Sequence, residues 1–268
     1  MRKIFTILLS LVLLVLSSCQ FKLKPYEDDL SLPSYQVQRY DRLESRYLTT
    51  GDFSALQQMN TDYPIETRTL IEKMLQLGSI EDRDIRTKFL MFYQDSTLQS
   101  LINDVETEYA NMDDINDGLE KSFKQLEQWI PSMQHPEFYA QIGALDQSIV
   151  IGDKSVGISL DKYMGENYLL YKKYYNYNQR QQMTRAYIVP DCITFYLLSL
   201  YPLPNFQSQP QRTRDLHFAK MMWVANQAMG THFFRTPYVH VIAKYMKAHP
   251  NVSIEDLLKS EDYSKIID

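Results

Sequence analysis

The spacing of apolar residues divides this chain into four stretches. Ile4 to Leu16 is a nearly unbroken apolar run of 13 residues behind the basic start Met1, Arg2 and Lys3. Residues 20–34 (QFKLKPYEDDLSLPS) combine two prolines, mixed charge and little periodicity, the pattern of a tether. From about Gln36 to Pro131 the apolar positions recur at helical spacing. Asp52 is placed to cap a helix running through Ser54, Ala55 and Leu56 and ending before Pro64. Ile65, Thr69, Leu70, Met74 and Leu77 continue that spacing, with Gly78 as the stop. Asp82–Tyr93 and Ser96–Tyr109 predict two further helices. The clearest period is Ile115, Leu119, Phe123, Leu126 and Ile130, opened by Asp113 and Asp114 and limited by Pro131.

The pattern changes at Pro136. Phe138–Ile142, Ser148–Ile151 and Val156–Leu160 are short β-rich runs separated by turn-like Gly143-Ala144-Leu145-Asp146 and Gly152-Asp153-Lys154. They predict a small antiparallel sheet of about three strands. Helical spacing then returns in Glu166–Tyr175, Arg180–Tyr201, Arg214–Met229 and Pro237–Lys247. A last short helix is opened by Ser253, with Asp256 at capping-box distance. No repeat of about 30–40 residues is visible, which argues against a solenoid. The expected fold class is α+β, mainly α-helical with a small antiparallel sheet in the middle, as one domain over residues 36–268.

Composition narrows the class without setting a reaction. With 44% hydrophobic and 13% aromatic residues, the 268-residue chain can bury a full core and is no disordered polymer. Only 8 glycines argue against a turn-rich β-sandwich. The net charge of −5 gives no electrostatic reason to expect a nucleic-acid partner.

The N-terminus addresses compartment. Thirteen apolar residues are too few to span a bilayer, which takes about 20, but suit the core of a signal peptide. The run ends in Leu16-Ser17-Ser18-Cys19, which resembles a bacterial lipobox. Residues 1–18 are then a lipoprotein signal peptide, Cys19 is the lipid attachment site, and 19–35 is a lipidated tether. The alternative is an ordinary signal peptide in which Cys19 is incidental. Removing Arg2 and Lys3 leaves 26 basic against 33 acidic residues, a net charge of −7. Cys192 is left without a disulfide partner and lies in an apolar stretch, which reads as a buried thiol. Acyl chains anchor a protein without any spanning helix. Gln20, where Asp is the inner-membrane signal in enteric bacteria, favours the outer membrane, with the domain facing the periplasm.

Candidate chemistry is sparse. None of His135, His217, His232, His240 and His249 has another histidine four residues away, so no HExxH zinc helix is present and no metal or cofactor is expected. The chain also lacks a G-x-S-x-G elbow and a phosphate-binding P-loop. Asp191 is a lone acid in the apolar run Ile188-Val189-Pro190-Asp191-Cys192. It reads either as a first-turn carboxylate after Pro190 or as a buried acid of raised pKa. Tyr168, Tyr171 and Tyr175 form a stripe at helical spacing, either core packing or a face for stacking on glycan or protein.

The run Val156-Gly157-Ile158-Ser159-Leu160-Asp161-Lys162-Tyr163-Met164-Gly165, with Tyr171 after it, resembles the G-I-x-L-D-x-Y-L-G stretch of the GldB family of gliding-motility-associated lipoproteins. Asp62-Tyr63-Pro64 is similar to that family's early Y-P. Val241–Met246 with Asn251–Leu258 is similar to its closing helix. The resemblance implies a lipid-anchored envelope protein with a zincin-like fold and no established activity. It makes Asp161, Tyr163, Gly165, Tyr168 and Tyr171 the candidate motif or binding residues. The residues themselves assign Asp161 to a turn-bracing role and Gly165 to a sharp turn. The expected function is a non-catalytic accessory protein that binds an envelope partner. An envelope hydrolase using Asp161, Asp191 or a histidine, and a glycan-binding module using the tyrosines, stand as alternatives.

Overall fold

The computed structural model describes residues 35–267, so the signal peptide, Cys19 and the tether up to Ser34 lie outside the described residues. The chain enters on a short strand, β1 (Val37–Gln38), followed by helices α1 (Tyr40–Thr50), α2 (Phe53–Asp62), α3 (Pro64–Arg68), α4 (Ile85–Phe92), α5 (Ser96–Glu108) and α6 (Asp113–Trp129). The Asp52 cap is the one the sequence announces, and Asp95 caps α5 in the same way. The Asp52 carboxylate accepts from Ser54 N at 2.8 Å, and Asp95 accepts from Thr97 N and Leu98 N. In α6 the buried face is Ile115, Leu119, Phe123 and Leu126.

The sheet departs from expectation. Strands β2 (Glu137–Gln141), β3 (Ile149–Ile151) and β4 (Ser155–Ser159) occupy the three β-rich runs, but β1 makes a fourth strand and the sheet is mixed, in the order β1-β2-β4-β3. Strand β2 is parallel to both β1 and β4, and only the β3–β4 pair is antiparallel. The reason lies in burial: β2 and β4 bury four successive residues each, Phe138–Gln141 and Val156–Ser159. Such strands need cover on both faces, as interior strands of parallel sheets do. Gly157 serves this arrangement directly. A Cβ there would lie 2.5 Å from the Tyr139 ring, which crosses from the neighbouring strand.

Beyond the sheet come two one-turn helices, α7 (Tyr171–Tyr174) and α8 (Tyr177–Arg180), and then α9 (Ile188–Leu200), α10 (Gln211–Met229), α11 (Pro237–Ala248), α12 (Ile254–Lys259) and α13 (Ser264–Ile267). The helices expected over Glu166–Tyr175 and Arg180–Tyr201 are shorter: residues 166–170 run largely as turns before α7, and residues 181–187 as turns ending in a 3-10 turn (Arg185–Tyr187) before α9. Ser253 and Asp256 form the expected capping box. Residues Thr69–Met74 run as a π-helical turn, and the buried set there is Thr67, Leu70, Ile71 and Met74, while Ile65 faces outward. No helix among the described residues is long and apolar enough to cross a membrane.

One ring ties the layers together. Phe123 of α6 meets Tyr35 at 5.2 Å, Phe138 of β2 at 4.9 Å and Tyr196 of α9 at 5.6 Å. Phe123→Ala should lower unfolding free energy by about 3–5 kcal/mol, whereas exposed Phe53→Ala should change it by less than about 0.5 kcal/mol, read from denaturant midpoints.

Candidate functional site

The link from β2 to β3 passes over the C-terminal end of β4, a span of two strand spacings or about 10 Å. In making it, Ala144 and Leu145 adopt left-handed φ values of 50° and 65°, costly for residues with a Cβ. Asp161, buried in the turn just after β4, holds this link in place. Its Oδ1 accepts from Gly143 N at 2.8 Å and its Oδ2 from Leu145 N at 2.5 Å. Two backbone N–H groups converging on one carboxylate form an anion nest, here supplied with an anion from the chain itself. Burial raises the Asp161 pKa, and the two N–H bonds oppose that rise.

The neighbours of Asp161 extend the bracket. Lys162 Nζ donates to Leu145 O at 3.1 Å and to the Tyr175 hydroxyl at 3.0 Å. The Tyr171 hydroxyl donates to Asp161 O and accepts from Met164 N, so this tyrosine is fully buried and spent on the turn. Glu44 adds a second buried acid, accepting from Ile142 N at 2.8 Å, and burial pushes its pKa well up. Gly165 turns the chain at φ 105°, a conformation that favours glycine, and its N–H reaches Met183 O. The half-buried Tyr168 points its hydroxyl to Asp104 at 2.7 Å on the rim of a broad hollow of about 1040 Å³. Tyr168, Tyr171 and Tyr175 pack edge to face on one another and do not make a continuous exposed stripe.

Tyr163 connects this turn to a second polar centre. Its backbone oxygen accepts from the Tyr109 hydroxyl at 2.7 Å, and its own hydroxyl donates to Asp191 Oδ2 at 2.8 Å. Asp191 stands in the first turn of α9 and lines a cleft of about 550 Å³. Burial raises its pKa to about 7, against a lowering by the Tyr163 bond. Both sequence readings of Asp191 thus describe the same residue. Ser148, Lys162, Tyr175, Tyr187, Phe233 and Phe234 share the cleft. They come from segments up to 86 residues apart, and no spacing in the sequence joins them.

A zincin would need a cluster of metal ligands here. No group of three or more His, Cys, Asp and Glu positioned for a metal occurs among the described residues. Asp191 stands with a tyrosine, and the Cys192 thiol beside it is buried, its pKa pushed up by that burial. His217 is buried against the Tyr263 hydroxyl on the far helices. The described residues around Asp191 do not fit a zinc site.

These features define a class: a mainly helical α+β domain with an acid–tyrosine cleft and, among the described residues, no assembled metal-ligand set. Residues 24–232 match the family described as Gliding motility protein GldB, and the chain belongs to that family. The match takes in the sheet, the Asp161–Gly165 turn and Asp191, and stops before Phe233 and α11. No curated protein and no solved structure gives a significant match.

The raised pKa of Asp191 has a thermodynamic consequence. The native state holds a proton that the unfolded chain releases near pH 4, so this group's contribution favours folding at low pH and is lost as pH rises towards about 7. Wild type should therefore lose stability relative to Asp191→Asn between about pH 4.5 and 7.5, with no further change above. Thermal midpoints of the two proteins across that range check this, and a pH-independent difference contradicts it.

Proposed function

We propose that this protein is a lipid-anchored accessory component of the cell envelope that works by binding other envelope components and carries out no catalysis. The observation that carries the reading is membership of a family of gliding-motility lipoproteins over residues 24–232, in a chain whose Leu16-Ser17-Ser18-Cys19 is spaced as a lipobox. In this reading residues 1–18 are removed, Cys19 bears diacylglycerol and palmitate, and residues 20–34 hold the domain off the membrane. Gln20 after the lipidated cysteine favours the outer membrane, and the domain faces the periplasm. A family of envelope lipoproteins and described helices too short or too polar to span a bilayer both agree with an acyl anchor.

The hydrolase reading is favoured by one observation, an acid with a pKa of about 7 in a cleft. It lacks a second acid, a nucleophile–base pair or a ligand set beside Asp191 among the described residues. The glycan-stacking reading has less support, since the Tyr171 ring is buried and its hydroxyl holds the turn.

Cys19→Ser should abolish incorporation of labelled palmitate and move the protein out of the membrane fraction. Membrane retention without label would overturn the lipid anchor. Mass-spectrometric metal analysis of the full chain, purified without chelator or histidine tag, should find well under one zinc per chain. A stoichiometric zinc would make the peptidase reading primary.

A further inference from the structure

The cleft beside Asp191 is built for a ligand of definite charge. Asp191 Oδ2 is taken by the Tyr163 hydroxyl, and Oδ1 has no hydrogen-bond partner among the described residues. No basic side chain offsets the desolvation of this carboxyl. Two cations line the same cleft, and neither pairs with Asp191. Lys162 Nζ donates to Leu145 O, Asp146 O and the Tyr175 hydroxyl, which uses its three protons. Arg235 is exposed at the rim, with Nε on His232 O at 2.8 Å.

The walls are aromatic. Tyr187 meets Phe233 edge to face at 4.7 Å, and Phe233 meets Phe234 at 5.2 Å. The chain itself illustrates what such walls accept, since Lys162 Nζ lies 4.6 Å from the centroid of Tyr175, another ring of this cleft. A carboxyl without a cationic partner, between aromatic rings, in a protein with more acidic than basic residues, selects for positive charge.

We propose that the Asp191 cleft is a binding site for a primary alkylammonium group of the kind a lysine side chain carries. The ammonium pairs with Asp191, and its alkyl stem lies along Tyr187 and Phe233. This rests on the reading of the chain as a binding protein and names the chemistry that one of its sites recognises.

The charge linkage makes the site testable. The ammonium binds the ionised carboxylate, so below about pH 7 each binding event releases a proton. Tyr163, Lys162, Tyr175, Tyr187 and Arg235 line the cleft with Asp191, and the buried Cys192 thiol follows it in α9. Calorimetric titration of the detergent-solubilised full chain with Nα-acetyl-lysine methylamide should show affinity rising about tenfold from pH 6 to pH 8, as a single group of pKa about 7 requires. The corresponding norleucine amide, which keeps the alkyl stem and lacks the ammonium, should not bind.

Asp191→Asn should abolish both binding and its pH dependence. Tyr163→Phe, which keeps the carboxyl but removes the bond that lowers its pKa, should still bind and shift the pH midpoint upward. Absence of amine binding, affinity that falls with pH, or equal binding by Asp191→Asn would overturn the site. Cys19-dependent membrane attachment is read separately, so a failed titration beside intact attachment rejects the ligand and leaves the anchor standing.

Discussion

The carboxylate of Asp161 is the constraint on which the centre of this protein depends. A strand, β4, is threaded between β2 and β3, and the link joining those two must cross over its end. That crossing places two residues with side chains in left-handed backbone conformations and leaves inward N–H groups needing acceptors. Asp161 supplies the acceptors from the turn just after the strand being crossed, so one residue braces both the crossing link and the end of β4. Hydrogen bonds to a charged acceptor contribute about 1.5–3 kcal/mol each, enough to offset the backbone cost of about 1–3 kcal/mol per residue.

The functional geometry hangs on the same turn. Leu160–Lys162 form a single 3-10 turn with Tyr163 directly after it, so fixing Asp161 fixes Lys162 and Tyr163 on either side of the bracket. Lys162 is committed to the crossing link through Leu145 O and Asp146 O. Tyr163 reaches the other way and orients Asp191, a buried acid on a separate helix. Tyr171 closes the turn from outside through the Asp161 carbonyl. The short sequence Leu160-Asp161-Lys162-Tyr163 therefore does structural work with its first acid and sets the chemistry of a second acid 30 residues on.

Much of the fold was legible because it is local. Helix α6 could be read from the period of Ile115, Leu119, Phe123 and Leu126. The caps at Asp52 and Ser253 could be read from one side chain and its distance to the helix. The three central strands were visible, but their pairing was not, since short apolar runs look alike in parallel and antiparallel sheets. Strand β1 has two residues, too few to show a period. The tyrosine stripe was legible only in part: Tyr171 turns inward, as its core-packing reading has it, but the helix starts at Tyr171 and leaves Tyr168 in the turn before it. Of the candidate site, Asp161, Tyr163 and Asp191 stood out singly, and only the fold joins the last two. Phe233 and Phe234 carried no sign of their place in the cleft, because α10 and its following loop bring them there from far along the chain.

The central claim is that Asp161 holds the crossing link, and native-state hydrogen exchange at Gly143 and Leu145 tests it most directly. In wild type both amides should be among the slowly exchanging set. In Asp161→Asn, which keeps one acceptor oxygen and turns the other into a donor facing an N–H, at least one of the two should exchange ten times faster or more, while amides in α6 keep their relative protection. Equal protection of Gly143 and Leu145 in the two proteins would contradict the account.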